Sequence, residues 1–130
     1  MTHLVFVYGT LMKGYANHDW LLLGNPDAKF VGRGVAQNLA LYNVTQGFPG
    51  VIREQGASTK GEVYEVGNAT LRRMDNLESE GHMYLREKCV VHMENGELIE
   101  SWIYIWNLET PRPETRVPEG DQPWQPRCYR

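Results

Sequence analysis

Cysteine is scarce in this chain of 130 residues, with two in all, Cys89 and Cys128. Two thiols make no disulfide framework, and the length permits a hydrophobic core without cross-links or a structural metal. Long apolar runs are missing as well. None approaches the roughly 20 residues that a membrane-spanning helix requires. The N-terminus shows no charged leader followed by an apolar core and a small-residue cleavage site. The expected location is therefore the cytoplasm, where Cys89 and Cys128 stay as free thiols. Cys89, inside "EKCVVHM", reads as a small core residue; as a nucleophile it would need a base beside it in space.

Positive charge is in short supply too, the formal net charge being −3. Arg112, Arg116, Arg127 and Arg130 are interrupted by prolines and acids instead of gathering into a patch. Neither nucleic acid nor a membrane is an expected partner. The histidines His3, His18, His82 and His92 are scattered, without paired spacing or a cysteine at ligand distance, and each reads as a surface or strand residue. No metal is expected. There is no Gly-x-Ser-x-Gly elbow, and "GRG" at 32–34 lacks both a third glycine and a following helix. No cofactor is expected either.

What the chain has in quantity is strand signal. Leu4 to Val7 are apolar on consecutive positions, the mark of a strand covered on both faces. "AKFVGRGVA", "NLALYNV", "KGEVYEV", "MYLREKCVVHM" and "ELIESWIYIW" follow as further strands, with Thr45 to Gly50 a turn cluster. Glu94-Asn95-Gly96 joins the last two as a hairpin, because Asn-Gly readily adopts positive φ. Two short helices are expected. "NHDWLLLG" has Asn17 as N-cap and Gly24 as stop, and "ATLRRMDNLES" begins after Gly67 and Asn68. From about residue 107 a proline-rich tail wraps the body. The expected fold is α+β, with residues 1–130 forming a single domain. It is a small closed or strongly curled antiparallel or mixed β-barrel of six to seven strands with two or more short helices.

Two features carry chemistry. In the second helix Leu71, Met74 and Leu77 mark an inward stripe, and Glu78 falls seven residues after Leu71 within the same stripe. A carboxylate in the place of a core leucine is either a cap or ion-pair partner, or a functional acid. The second feature is "YGTL", Tyr8 to Leu11, where the opening strand breaks. It is either a plain turn or a set of backbone N–H groups offered to an anion or a developing oxyanion, with glycine clearing the approach.

Taken together and in order, these segments resemble the gamma-glutamylcyclotransferase-like family. "FVYGTL" is similar to its Tyr-Gly-Ser/Thr-Leu substrate loop, and "GFPGV" to its middle turn. Arg72 to Arg86 resembles its Leu-Asp-x-x-Glu…Tyr-x-Arg segment, with Met74 in place of the usual leucine. "WIYIW" and "VPEGD" resemble the last strand and closing tail. The resemblance implies Glu78 as the catalytic acid/base. It implies Tyr8, Gly9, Thr10 and Leu11 as substrate-binding residues, with Tyr84 a pocket wall or hydroxyl donor. The turn would hold either the substrate's α-carboxylate or its γ-oxygen. The implied reaction cyclises a γ-glutamyl group to 5-oxoproline and frees an amine, and the implied partner is a small γ-glutamyl compound. Other readings stay open: a non-catalytic binding module of this fold, or a hydrolase in which Glu78 activates water. Monomer and dimer fit equally well.

Overall fold

The computed structural model describes residues 1–15, 17–45 and 48–125. Cys128, Arg127, Arg130, Gln46 and Gly47 lie outside the described residues. Strand β1 (Thr2–Val7) leads through a loop to helix α1 (His18–Leu23); then come β2 (Lys29–Thr45), β3 (Phe48–Gly67), helix α2 (Asn68–Leu77), β4 (Tyr84–Met93) and β5 (Leu98–Trp106). The strands close into a barrel in the order β1-β3-β2-β4-β5. Closure is mixed: β1 runs antiparallel to β3 but meets β5 in parallel at Val5 and Trp102. Val5 and Phe6 are both at 0% exposure, as consecutive apolar residues in a doubly covered strand should be.

Among the described residues there are five strands, not six to seven. The chain does not break where "AKFVGRGVA" meets "NLALYNV". It runs through Asn38, whose φ of 60° is a conformation asparagine tolerates, and stays one strand of 17 residues. Opposite this point β3 carries a bulge: Gln37 pairs with Ser58, yet Leu39 pairs with Arg53. Gly56, at φ 86°, donates its N–H to Asn38 Oδ1 at 3.0 Å and fastens the bend. The polar stretch around Glu54 to Gly56 hides the first half of β3 from a periodicity reading, so Phe48–Gly50, expected as turn, is strand. Bulges bend a strand and raise its twist, which is how five strands suffice to close.

The hairpin at Asn95 and Gly96 forms as expected, with Gly96 at φ 91°. The tail reaches back across β2. Val117 N–H donates to Leu41 O at 2.8 Å, Lys60 N–H donates to Gln122 Oε1 at 2.7 Å, and Trp124, at 1% exposure, donates from Nε1 to Asn43 Oδ1 at 2.8 Å. Cys89 is a core residue beside Ser101, and burial pushes its thiol pKa up, the opposite of what a nucleophile needs. His18 corrects the expectation of surface or strand histidines, being a helical residue at 9% exposure. Asn17 stands at the N-cap of α1 but makes no side-chain cap bond; its amide donates to Thr10 Oγ1 at 2.8 Å instead. Among the described residues no helix is long and apolar enough to cross a membrane.

Candidate active site

The chain leaves β1 at Val7 and turns at once. Met12 N–H closes the turn on Gly9 O at 3.0 Å, and Asn17 N–H holds Thr10 O at 2.9 Å. In a trans peptide the N–H points opposite to the preceding carbonyl. With Thr10 C=O fixed toward Asn17, the N–H of Leu11 is aimed the other way. Among the described residues the amides of Gly9, Thr10 and Leu11 make no backbone bond of this turn. Gly9 has no positive φ; its glycine is required by Pro49, whose Cδ and Cγ would lie 3.0 Å from an added Cβ. The two flanking hydroxyls face the protein. Tyr8 donates to Tyr104 O at 2.6 Å, and Thr10 Oγ1 accepts from Asn17.

Helix α2 supplies the acid. Thr70, Leu71 and Met74 are its buried residues, while Leu77, expected on the inward stripe, is 41% exposed. At about 100° per residue Glu78 returns to within ~20° of Leu71, whereas Leu77 lies ~120° away. Glu78 is the C-cap, its N–H on Met74 O at 2.9 Å. Among the described residues its carboxyl has neither a hydrogen bond nor an ion pair, so the cap or ion-pair reading finds no partner. Burial pushes its pKa from 4.5 up to about 7. The carbonyl end of the helix, with its partial negative charge, acts in the same direction. Beyond it Ser79 (φ 52°) and Gly81 (φ 88°) reverse the chain, and Gly81 N–H bonds Tyr84 O at 2.8 Å. Glu78 and Tyr84 thereby share a wall.

One cavity brings these parts together. Tyr8, Gly9, Thr10, Leu11, Glu78 and Tyr84 all line it, joined by Phe6, Val7, Phe48, Pro49 and Tyr104. Tyr84 donates its hydroxyl to Pro49 O at 2.8 Å, so it is a wall whose oxygen can still accept. Burial raises the pKa of Tyr8, Tyr84 and Tyr104 above the ordinary phenol value, and the proximity of Glu78 adds to each shift. The acid is thus ringed by neutral phenols.

Tyr104 was not singled out by the sequence, since barrel closure, not local spacing, brings β5 to this cavity. The signal was its place in the alternation of "WIYIW". Its hydroxyl donates to Asp75 Oδ1 at 2.7 Å, and Arg86 donates to both oxygens of Asp75, at 2.7 and 3.2 Å. One carboxylate therefore ties α2, β4 and β5 behind Glu78. Asp75→Ala strands the Tyr104 hydroxyl and the Arg86 guanidinium, both part-buried. A loss of about 2 kcal/mol is expected, read as a fall in Tm of roughly 5–10 °C. Asp75→Asn, which keeps one acceptor, is expected to lose less.

Residues 5–126 match the family model "Gamma-glutamyl cyclotransferase, AIG2-like". A Methanocaldococcus jannaschii protein, named as an unproven gamma-glutamylcyclotransferase, is 39% identical over 105 residues, 78% of this chain and 82% of its own. A Niallia circulans protein named gamma-L-glutamyl-butirosin B gamma-glutamyl cyclotransferase is 32% identical over 111 residues, covering 81% of this chain and 67% of its own. Among solved structures, an AIG2-like protein from mouse superposes with a TM-score of 0.71 at 29% identity, over 88% of this chain and 82% of its own. The family match spans almost the whole length that forms the barrel and its cavity, and the chain belongs to the gamma-glutamyl cyclotransferase, AIG2-like family.

Proposed function

We propose that this chain is a γ-glutamyl cyclotransferase acting on a small γ-glutamyl amine or amide, with Glu78 as its acid/base. The observation that carries the reading is the carboxyl of Glu78, facing the cavity with a pKa of about 7 and, among the described residues, no hydrogen-bond or ion-pair partner. In the reaction the substrate's α-amine nitrogen attacks its own γ-carbonyl carbon. A carbon–nitrogen bond forms, the bond to the leaving amine breaks, and 5-oxoproline is released. Because the nucleophile and the carbonyl belong to one molecule, holding them in line supplies a large part of the acceleration, up to ~7–11 kcal/mol in well-aligned systems. What is left is proton transfer. A protonated amine has no lone pair to attack with; Glu78 takes that proton and passes it to the departing nitrogen. A base with pKa near 7 accepts a proton from an amine far more readily than an ordinary carboxylate does. The amides of the Tyr8–Leu11 turn offer donors to a substrate oxygen, where charge builds as the carbonyl is attacked.

The Niallia circulans relative, whose name gives gamma-L-glutamyl-butirosin B as what it acts on, supports a γ-glutamyl compound as the substrate class. The test is a panel of γ-glutamyl amines and amino acids assayed by mass spectrometry for 5-oxoproline. Its appearance together with the free amine supports the reading, and a panel with no product from any member overturns it. A pH dependence follows. Glu78 acts first as a base and must be deprotonated, so kcat is expected to rise with pH through a midpoint of about 7. A midpoint near the ordinary 4.5 of a glutamate would place the working acid elsewhere.

A further inference from the structure

Behind the turn stand three buried polar side chains, His18, Glu62 and Tyr64, at 9%, 7% and 0% exposure. None of them lines the cavity. They form one hydrogen-bonded line. The carbonyl of Leu11 can only accept, so His18 Nδ1, 3.0 Å away, carries the hydrogen and donates. The same nitrogen lies 3.4 Å from the Tyr64 hydroxyl oxygen, which then acts as an acceptor toward it. Tyr64 directs its own proton to Glu62 Oε1 at 3.1 Å, and Lys13 N–H donates to that same oxygen at 2.9 Å. The turn is therefore gripped at Leu11 O and Lys13 N by a network ending on β3. Glu62 pairs with Val7 in the barrel ladder, so the anchor sits beside the strand that feeds the turn.

Charge balance is not what Glu62 does there. Lys13, Arg33 and Lys60 line a groove with it, yet among the described residues it makes no ion pair. It accepts hydrogen bonds. We propose that Glu62, acting through Lys13 N–H and through Tyr64 and His18, is a positioning residue that fixes the Thr10–Leu11 amides toward the cavity. Its consequence for turnover rests on the cyclotransferase reading; the positioning itself does not.

The test pairs Glu62→Ala with Glu62→Gln, reading backbone amide NMR of the free protein and steady-state kinetics on a γ-glutamyl substrate from the panel. In Glu62→Ala the Thr10, Leu11 and Lys13 amide resonances are expected to shift. kcat/KM should fall about tenfold or more, mostly through kcat, with the pH midpoint unchanged. Glu62→Gln keeps a carbonyl acceptor where Oε1 lies and should restore kcat to within about threefold of wild type. Wild-type resonances and kcat in Glu62→Ala would overturn the proposal, as would a glutamine variant no better than the alanine one. If Glu62→Ala does not fold, Tyr64→Phe removes only the linking hydroxyl; a shifted Leu11 resonance supports the proposal and an unmoved one overturns it. If wild type turns over no γ-glutamyl compound, the cyclotransferase reading fails by itself, and the amide shifts still decide the positioning.

Discussion

Glu78→Gln is expected to lower kcat by about 10²–10⁴-fold while the barrel stays folded. Glutamine keeps the shape of the side chain and can still hydrogen-bond, but it cannot take a proton from the amine and return it to the leaving nitrogen. Folding should not suffer, because a neutral amide costs less to bury than a carboxylate. The sign of the stability effect can be worked out. The carboxyl holds its proton more tightly when folded, at about 7 against 4.5. Wild-type stability therefore falls as pH rises from 4.5 toward 7, the range over which the unfolded chain loses the proton and the folded one keeps it. Glu78→Gln removes this dependence, so above pH ~7 the variant should melt higher than wild type. A variant that turns over normally would reduce Glu78 to a helix-end residue. One that loses activity but melts lower at pH 8 would point to damage to the fold.

The second large effect is expected at Gly9. Gly9→Val should reduce kcat/KM by about 10²-fold or more. The added Cβ would meet Pro49 Cδ and Cγ at 3.0 Å, and the two methyls of valine extend the clash. Pro49 cannot move alone, since its carbonyl holds the Tyr84 hydroxyl at 2.8 Å. Pushing it away shifts Tyr84, and with it the wall shared with Glu78. Overpacking of this kind costs about 1–3 kcal/mol of stability, so thermal melts must accompany the kinetics. Gly9→Ala brings only the first atom of the clash, and a few tenths of an ångström of movement relieves it. Its expected loss is about tenfold or less. Equal kinetics for glycine, alanine and valine at position 9 would show that the turn is merely a connection.

The sequence was most readable where one element decides the outcome. Glu78 fell on the buried stripe of α2 because 3.6-residue periodicity needs no tertiary information, and the turn after β1 was marked by a glycine between apolar runs. Leu77 was misplaced for a related reason: a step of six residues drifts off a helix face that a step of seven nearly regains. The strand count failed at Asn38 and Gly56, where a left-handed asparagine and a bulge carry the chain on through what reads as two breaks. Tyr104 and Phe48 could not be assigned to the cavity from spacing. Only the closure of β1 against β5 and the bending of β3 bring them there. At Gly9, read from the sequence as clearing a ligand's approach, the structure adds a second reason for glycine that spacing could not supply: Pro49, forty residues later, leaves little room for a side chain.

The central claim is that the substrate's own amine is the nucleophile and that Glu78 moves its proton. Reaction of a γ-glutamyl substrate in heavy-oxygen water tests it most directly. In cyclisation the new bond comes from nitrogen, so the account predicts unlabelled 5-oxoproline appearing at the same rate as the free amine, with no glutamate as a primary product. Labelled glutamate released in step with the amine would contradict it and make Glu78 the base that activates water.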